Sequence, residues 1–171
     1  SLGVSAATVV DWGDGLSNEY TGTAMRTHIY AGAGTYCVKI YTPENVMTFD
    51  LRNEVAVSVL NSADLKLMAN VNTFNLYNLT NATGTLNSAD MVDWRPNTFS
   101  LYSLPNVTIT LDSSDMVDWR PDYFTLYSIP SATITLNSVD MGDWRPSIFR
   151  LIALPNATVT IAPSSIKNWS T

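Results

Sequence analysis

DMVDWRP occupies residues 90–96 and again 115–121, and DMGDWRP occupies 140–146, each 25 residues after the one before. The segments between these marks repeat as well. Phe74, Phe99, Phe124 and Phe149 hold one position of the period, and Leu76, Leu101, Leu126 and Leu151 hold another two residues on. Trp94, Trp119, Trp144 and Trp169 hold a third. A fixed period between 20 and 50 residues is the mark of stacked coils. Each coil is one supersecondary unit that buries its apolar face only against its neighbours. The expected fold is therefore mainly β, a solenoid of about five coils with short helical turns.

Counted from the phenylalanines, the coils begin at Phe49, Phe74, Phe99, Phe124 and Phe149. The first is degenerate, with Val57–Leu60 where later coils carry Thr-x-Thr-Leu. The second carries one extra residue between Asp64 and Asp90. Within the third coil, Phe99, Leu101 and Leu104 should face inward, and Pro105 breaks the path. Val107–Leu111 alternates strictly, so Ile109 and Leu111 should point into the core and Thr108 and Thr110 out. The segment 112–119 places an acid three residues before another, an N-cap arrangement that predicts one helical turn ending before Pro121.

Composition bounds the function classes. The chain has 171 residues and a net charge of −6, with neither half basic, which disfavours non-specific nucleic-acid binding. The single cysteine, Cys37, allows no intrachain disulfide and reads as a buried, inert thiol. No run of about 18 apolar residues predicts a membrane-spanning helix. The chain opens Ser1-Leu2-Gly3 and reads as a processed fragment.

Residues 1–48 do not share the period. They carry VDWGDG at 10–15 and HIYAGAGTYCVKI at 28–40, two glycine turns with a strand at 35–41. Trp12, Gly13, Asp14, Gly15, His28, Tyr30, Gly34, Tyr36 and Val38 occupy the positions of the W-x-x-G-D-G-like turn, the H-x-Y and the G-x-Y-x-V of PKD-type β-sandwich domains. The segment resembles the second half of such a domain. The resemblance implies an N-terminal PKD-like β cap over residues 1–48 that covers the open edge of a solenoid formed by 49–171. LPNVTITL at 104–111 is similar to the Leu-Pro-x-Leu-Thr run of leucine-rich repeats. It is one residue shorter and lacks the usual ladder asparagine. The repeats are thus leucine-rich-repeat-like and irregular, with a plain β-solenoid as the alternative. Half-modules of this kind ahead of such repeats resemble those of bacterial surface proteins and phage particles, which implies a virion or cell-surface location.

No catalytic constellation is legible. His28 is the only histidine and reads as a structural residue of the H-x-Y turn, and no metal-spaced His/Cys set exists. The chain is read as a non-enzyme with no cofactor. Asp90, Asp115 and Asp140, and Asp93, Asp118 and Asp143, form two acidic columns. Arg95, Arg120 and Arg145 are the expected partners, and a row of Ca²⁺ sites is the alternative. The tryptophans are assigned to the core, a sugar-stacking platform being the other reading. Tyr77, Tyr102 and Tyr127 should face outward or into a groove, where stacked tyrosines make adaptable contacts. Thr83 and Thr85, Thr108 and Thr110, Thr133 and Thr135, and Thr158 and Thr160 should form two regular outward columns. Five Asn-x-Ser/Thr sequons occur, at Asn78, Asn81, Asn106, Asn156 and Asn168, two of them simple products of the repeat.

These residues suggest a recognition or structural module that binds a protein or cell-surface glycan through its Thr and Tyr columns. The alternative is an ice-binding solenoid using the Thr columns. A third reading is purely architectural, with self-assembly through the last coil near Ile161–Trp169.

Overall fold

The computed structural model describes residues 1–160 except 25, 27 and 33, and for 159 and 160 the backbone alone. The strands are β1 (Leu2–Asp11), β2 (Ser17–Gly22), β3 (Lys39–Ile40), β4 (Val46–Arg52), β5 (Thr73–Tyr77) and β6 (Gly84–Asn87). They continue as β7 (Thr98–Tyr102), β8 (Val107–Asp112), β9 (Tyr123–Tyr127), β10 (Ala132–Asn137), β11 (Ile148–Ile152) and β12 (Ala157–Thr160). Helix is confined to single turns, an α-helical one at Ser62–Leu65 and 3₁₀ turns at Pro43–Asn45, Ser88–Asp90 and Ser113–Met116. No helix among the described residues is long and apolar enough to cross a membrane.

The periodic part is a β-solenoid of about four turns. Each full turn gives one strand to each of two sheets. In the first sheet β4, β5, β7, β9 and β11 run parallel, and every residue pairs with the one 25 positions on. Sequence period and strand register therefore coincide, and Phe49, Phe74, Phe99, Phe124 and Phe149 lie directly over one another. The second sheet is β6, β8, β10 and β12. The turn that begins at β4 adds no strand to it, only the bridge Val59↔Thr83. The degenerate Val57–Leu60 is the reason, together with Gly84, whose φ is +118°. A Cβ on Gly84 would lie 2.4 Å from the Leu60 carbonyl oxygen, so only glycine lets the first turn approach.

The core lies between the sheets. Phe74, Phe99 and Phe124, Leu76, Leu101 and Leu126, and Trp94, Trp119 and Trp144 are all fully buried. Full burial of such side chains stabilises by roughly 1.5–3 kcal/mol each. The tryptophans are therefore core, and the platform reading is excluded for Trp94, Trp119 and Trp144; Trp169 lies outside the described residues. Each indole rests against the Phe of its own coil sequence, at 5.0 Å for both Phe74–Trp94 and Phe99–Trp119. Its N–H donates to a backbone carbonyl of the coil below, Trp119 to Met91 and Trp144 to Met116, at 3.3 Å. A buried indole needs such an acceptor.

The chain leaves the first sheet through a column of left-handed residues. Asn53, Asn78, Ser103, Ser128 and Ala153 have φ between 52° and 57°. The column turns the path while keeping the ladder intact: the Asn78 N–H donates to Tyr102 O and the Ser103 N–H to Tyr127 O. Proline follows two residues later, so Pro105 is a second corner, not the first.

At the other end β1 is antiparallel to β4, with Leu2↔Phe49 and Gly3↔Thr48, and so covers the edge of the first sheet. Its second half pairs with β2 and β3. The strand expected over 35–41 shortens to Lys39–Ile40. Upstream of it Tyr36 turns to stack on Tyr30 at 4.1 Å and donates its hydroxyl to Gly32 O.

Candidate functional site

Strand alternation decides which side chains a solenoid displays. In β5, β7 and β9 Phe and Leu go inward, so the residues before, between and after them go outward. The 25-residue register lines these up in three files across the strands. One runs Thr48, Thr73, Thr98, Tyr123, Ile148. The middle file runs Asp50, Asn75, Ser100, Thr125, Arg150, and the third runs Arg52, Tyr77, Tyr102, Tyr127, Ile152. The tyrosines face outward, ring upon ring, with centroids 4.4 and 4.3 Å apart. The middle file was missed in the sequence, although the residue between Phe and Leu of each F-x-L-Y must share the tyrosines' face.

Strands stand about 4.8 Å apart in both sheets. In the second sheet the pairing partners are 23 residues apart, as in Thr85↔Thr108 and Thr110↔Thr133. Equivalent residues there are offset by two positions along the strand, and with about 3.3 Å per residue they lie about 8 Å apart. The offset runs along the strands and leaves the spacing between them unchanged. A shallow depression of about 410 Å³ lies on the outer face of the first sheet, lined by residues that include Arg52, Asn75, Tyr102, Thr125 and Arg150.

The same offset corrects the threonine array. Thr83, Thr85, Thr108, Thr110, Thr133, Thr135 and Thr158 are all exposed. They do not form two straight columns. Thr83 pairs with Val59, Thr85 with Thr108, Thr110 with Thr133 and with Asn87, Thr135 with Thr158 and with Asp112, and the backbone of Thr160 with Asn137. The threonines descend as a staircase interrupted by amide and carboxylate side chains.

The two acidic columns separate. Arg95 donates to Asp118 and Arg120 to Asp143, each at 2.8 Å. These pairs are exposed and contribute little to stability. Each arginine also caps its own turn, Arg120 donating to Val117 O and Trp119 O at 2.9 and 2.7 Å. Asp90, Asp115 and Asp140 have other partners. A buried serine of the coil below donates to each: Ser62 to Asp90, Ser88 to Asp115 and Ser113 to Asp140, at 2.5, 2.6 and 2.8 Å. The same hydroxyls accept the backbone N–H of Asn87, Asp112 and Asn137. The expected Asp–Arg neutralisation thus holds for Asp118 and Asp143 of one column, and a serine ladder serves the other. Its signal is present in the sequence as [Asn/Asp]-Ser-x-Asp, at Asn61–Asp64, Asn87–Asp90, Asp112–Asp115 and Asn137–Asp140. The first residue of that run caps the 3₁₀ turn, Asn87 accepting from Ala89 N and Asp112 from Ser114 N. No three or more His, Cys, Asp or Glu side chains are grouped to hold a metal ion among the described residues.

A coil-to-coil asparagine bond also exists, at a position other than the one sought in the sequence. Asn81, Asn106 and Asn156 donate their side-chain amides to Val55 O, Thr80 O and Pro130 O of the preceding coil. With Asn78, which donates to Asn53 Oδ1, four of the five sequon asparagines make structural contacts.

At the end of the chain nearer β1, one constellation gathers the motif residues. The His28 Nε2 lies 2.7 Å from Asp14 Oδ2, and the imidazole stacks on Trp12 at 4.7 Å. The Tyr30 hydroxyl donates to Trp12 O at 3.0 Å. The hydrogen bond from His28 holds the Asp14 carboxyl below its ordinary value. Gly13, at φ +80°, sits against the backbone of Cys37, where a Cβ would lie 2.7 Å from the carbonyl oxygen. Cys37 itself is exposed, which corrects the expected burial: its strand position does not form.

In the three files on the outer face of the first sheet Asp50 is the one carboxylate. Burial works to raise its pKa, and hydrogen bonds from Arg52 (2.7 and 2.9 Å) and Asn75 (3.3 Å) outweigh it, so the value lies below the usual one. The Tyr102 hydroxyl is pushed up by desolvation and by its hydrogen bond with Tyr127. The face can offer hydroxyl and amide hydrogen bonds and one guanidinium, Arg150, which is exposed and has no ion-pair partner among the described residues. No family model matches the chain, and neither a curated sequence nor a solved structure matches it.

Proposed function

We propose that this chain is a non-catalytic recognition module of a phage particle or bacterial surface, binding a protein or glycan through the outer face of its first sheet. The observation that carries the reading is the face itself, where the 25-residue register sets three ordered files of side chains around a shallow depression. Repeat architectures use such surfaces for partners. Against catalysis stands the engagement of the single histidine with Asp14, Trp12 and Tyr30, an arrangement that fixes a ring and activates no nucleophile. The location rests on the PKD-like and leucine-rich-repeat-like resemblances. In favour of the latter are the coil-to-coil asparagine bonds and a fifth, degenerate coil beginning at Phe49.

The tyrosine file belongs to this face, and the threonines belong to the opposite one. Ice binding draws less support than the sequence alone suggests, because a lattice match needs regular columns and the register produces a staircase. Assembly through Ile161–Trp169 falls outside the described residues.

The test is a glycan-array and surface-protein binding screen of the protein beside Ser100→Met, which places a long uncharged side chain in the middle of the face without touching the core. A ligand that the Met variant binds at least about tenfold more weakly supports the reading. A ligand indifferent to Ser100→Met, or thermal hysteresis at high protein concentration, overturns it.

A further inference from the structure

We infer that the occupant of the outer face of the first sheet is an acidic polysaccharide, lying across the strands with a carboxylate on Arg150. This rests on the recognition reading above and supplies its ligand class.

Area comes first. Five strands about 4.8 Å apart, each about five residues long at about 3.3 Å, give a face of roughly 300 Å². A stable protein partner needs about 800 Å² on each side. A single linear chain fits the smaller area, and three files running across the strands give it a track.

The chemistry of the track is that of hydroxyls. The tyrosine rings occupy each other's faces, with interplanar angles of 14° and 4°, so they present edges and hydroxyl groups outward. Asn75, Ser100 and Thr125 run beside them, each able to donate and to accept. A polyhydroxylated chain matches groups of that kind along its length. An extended peptide would gain its specificity from pockets for side chains. Here the apolar residues of the same strands, Phe99 and Leu101 among them, are sealed beneath the sheet.

Charge selects the acidic form. Asp50 accepts from Nε and Nη2 of Arg52, and the pair neutralises that guanidinium's charge. Arg150, on the middle file at the opposite end, is exposed and has no ion pair among the described residues. On a protein of net charge −6 it is the uncompensated cation of this face. A guanidinium binds a carboxylate through paired, charge-assisted hydrogen bonds.

Calorimetric titrations with oligogalacturonate, hyaluronan oligomers and oligosialic acid test this, beside a neutral galactan oligomer and a poly-glutamate peptide of matched length. The variants are Arg150→Gln and Ser100→Met, with unchanged far-UV spectra as the folding control. At least one acidic glycan should bind and should weaken about tenfold or more in Arg150→Gln. Its affinity should fall with added salt. Equal binding of the neutral oligomer, an unchanged affinity in Arg150→Gln, or equally tight poly-glutamate would overturn the inference. In the first two cases a loss in Ser100→Met leaves the recognition reading standing. No binding by any acidic glycan overturns the inference, and a ligand from the wider screen that Ser100→Met blocks again preserves the broader reading.

Discussion

Ser88 and Ser114 test the serine ladder against each other. Ser88 is fully buried, accepts the Asp112 N–H at 2.9 Å and donates to Asp115 at 2.6 Å. Ser88→Ala removes one oxygen and leaves two groups in need of partners. An orphaned buried N–H costs about 1–3 kcal/mol, and a lost hydrogen bond to a carboxylate about 1.5–3 kcal/mol. Asp115 is only half-buried, so water recovers part of the second. The expected net loss is about 2–4 kcal/mol. Ser114 is exposed and bonds the neighbouring Asp112 at 2.7 Å, within its own turn. Its replacement by Ala should cost below about 0.5 kcal/mol, as surface changes do. Urea unfolding followed by tryptophan fluorescence reads the difference. With a slope of about 2 kcal/mol/M, Ser88→Ala should lower the midpoint by about 1–2 M at unchanged slope. Equal midpoints for the two variants would show that the ladder contributes nothing and that water serves Asp112 and Asp115 as well.

Three further outcomes are expected. Trp119→Ala should destabilise by about 3–5 kcal/mol, since it opens a cavity against Phe99 and strands the Met91 carbonyl; a thermal melt that barely moves would contradict the packing. Ser103→Asn should stabilise by about 0.5–1 kcal/mol in urea unfolding, because asparagine tolerates φ 52° better and continues the amide contact that Asn78 makes with Asn53 at 2.9 Å. The Asp14 carboxyl, depressed by His28, lends stability that is complete above its unfolded value of 3.8 and is lost as pH falls through the lower folded value. Asp14→Asn should flatten that acid limb in an unfolding-versus-pH series, and an unchanged limb would remove the pair from the account.

The candidate face was half legible. The tyrosines follow from F-x-L-Y alternation, and so in principle do Asn75, Ser100 and Thr125. That they line a shallow depression together with Arg52 and Arg150 is decided by the stacked sheet and by no local pattern. The acids show the same limit. Asp115 and Asp118 stand three residues apart in one motif and look alike as partners for arginine. Which of them meets Arg95 and which meets Ser88 is set by how one coil seats on the next.

The 25-residue period by itself determined the stacked coils, the buried Phe, Leu and Trp files and the first sheet, because there the spacing of equivalent residues is also the spacing of bonded neighbours. Tertiary structure alone decided the second sheet. A slip of one residue would have thrust Ile109 and Leu111 into water, and the hydrophobic alternation forbids it. A slip of two keeps every apolar side chain inside, so the sequence pattern is blind to it. That silent slip shifts each strand of the second sheet along its neighbour and breaks the threonine columns into a staircase, while the tyrosine and polar files stay straight on the outer face of the first sheet.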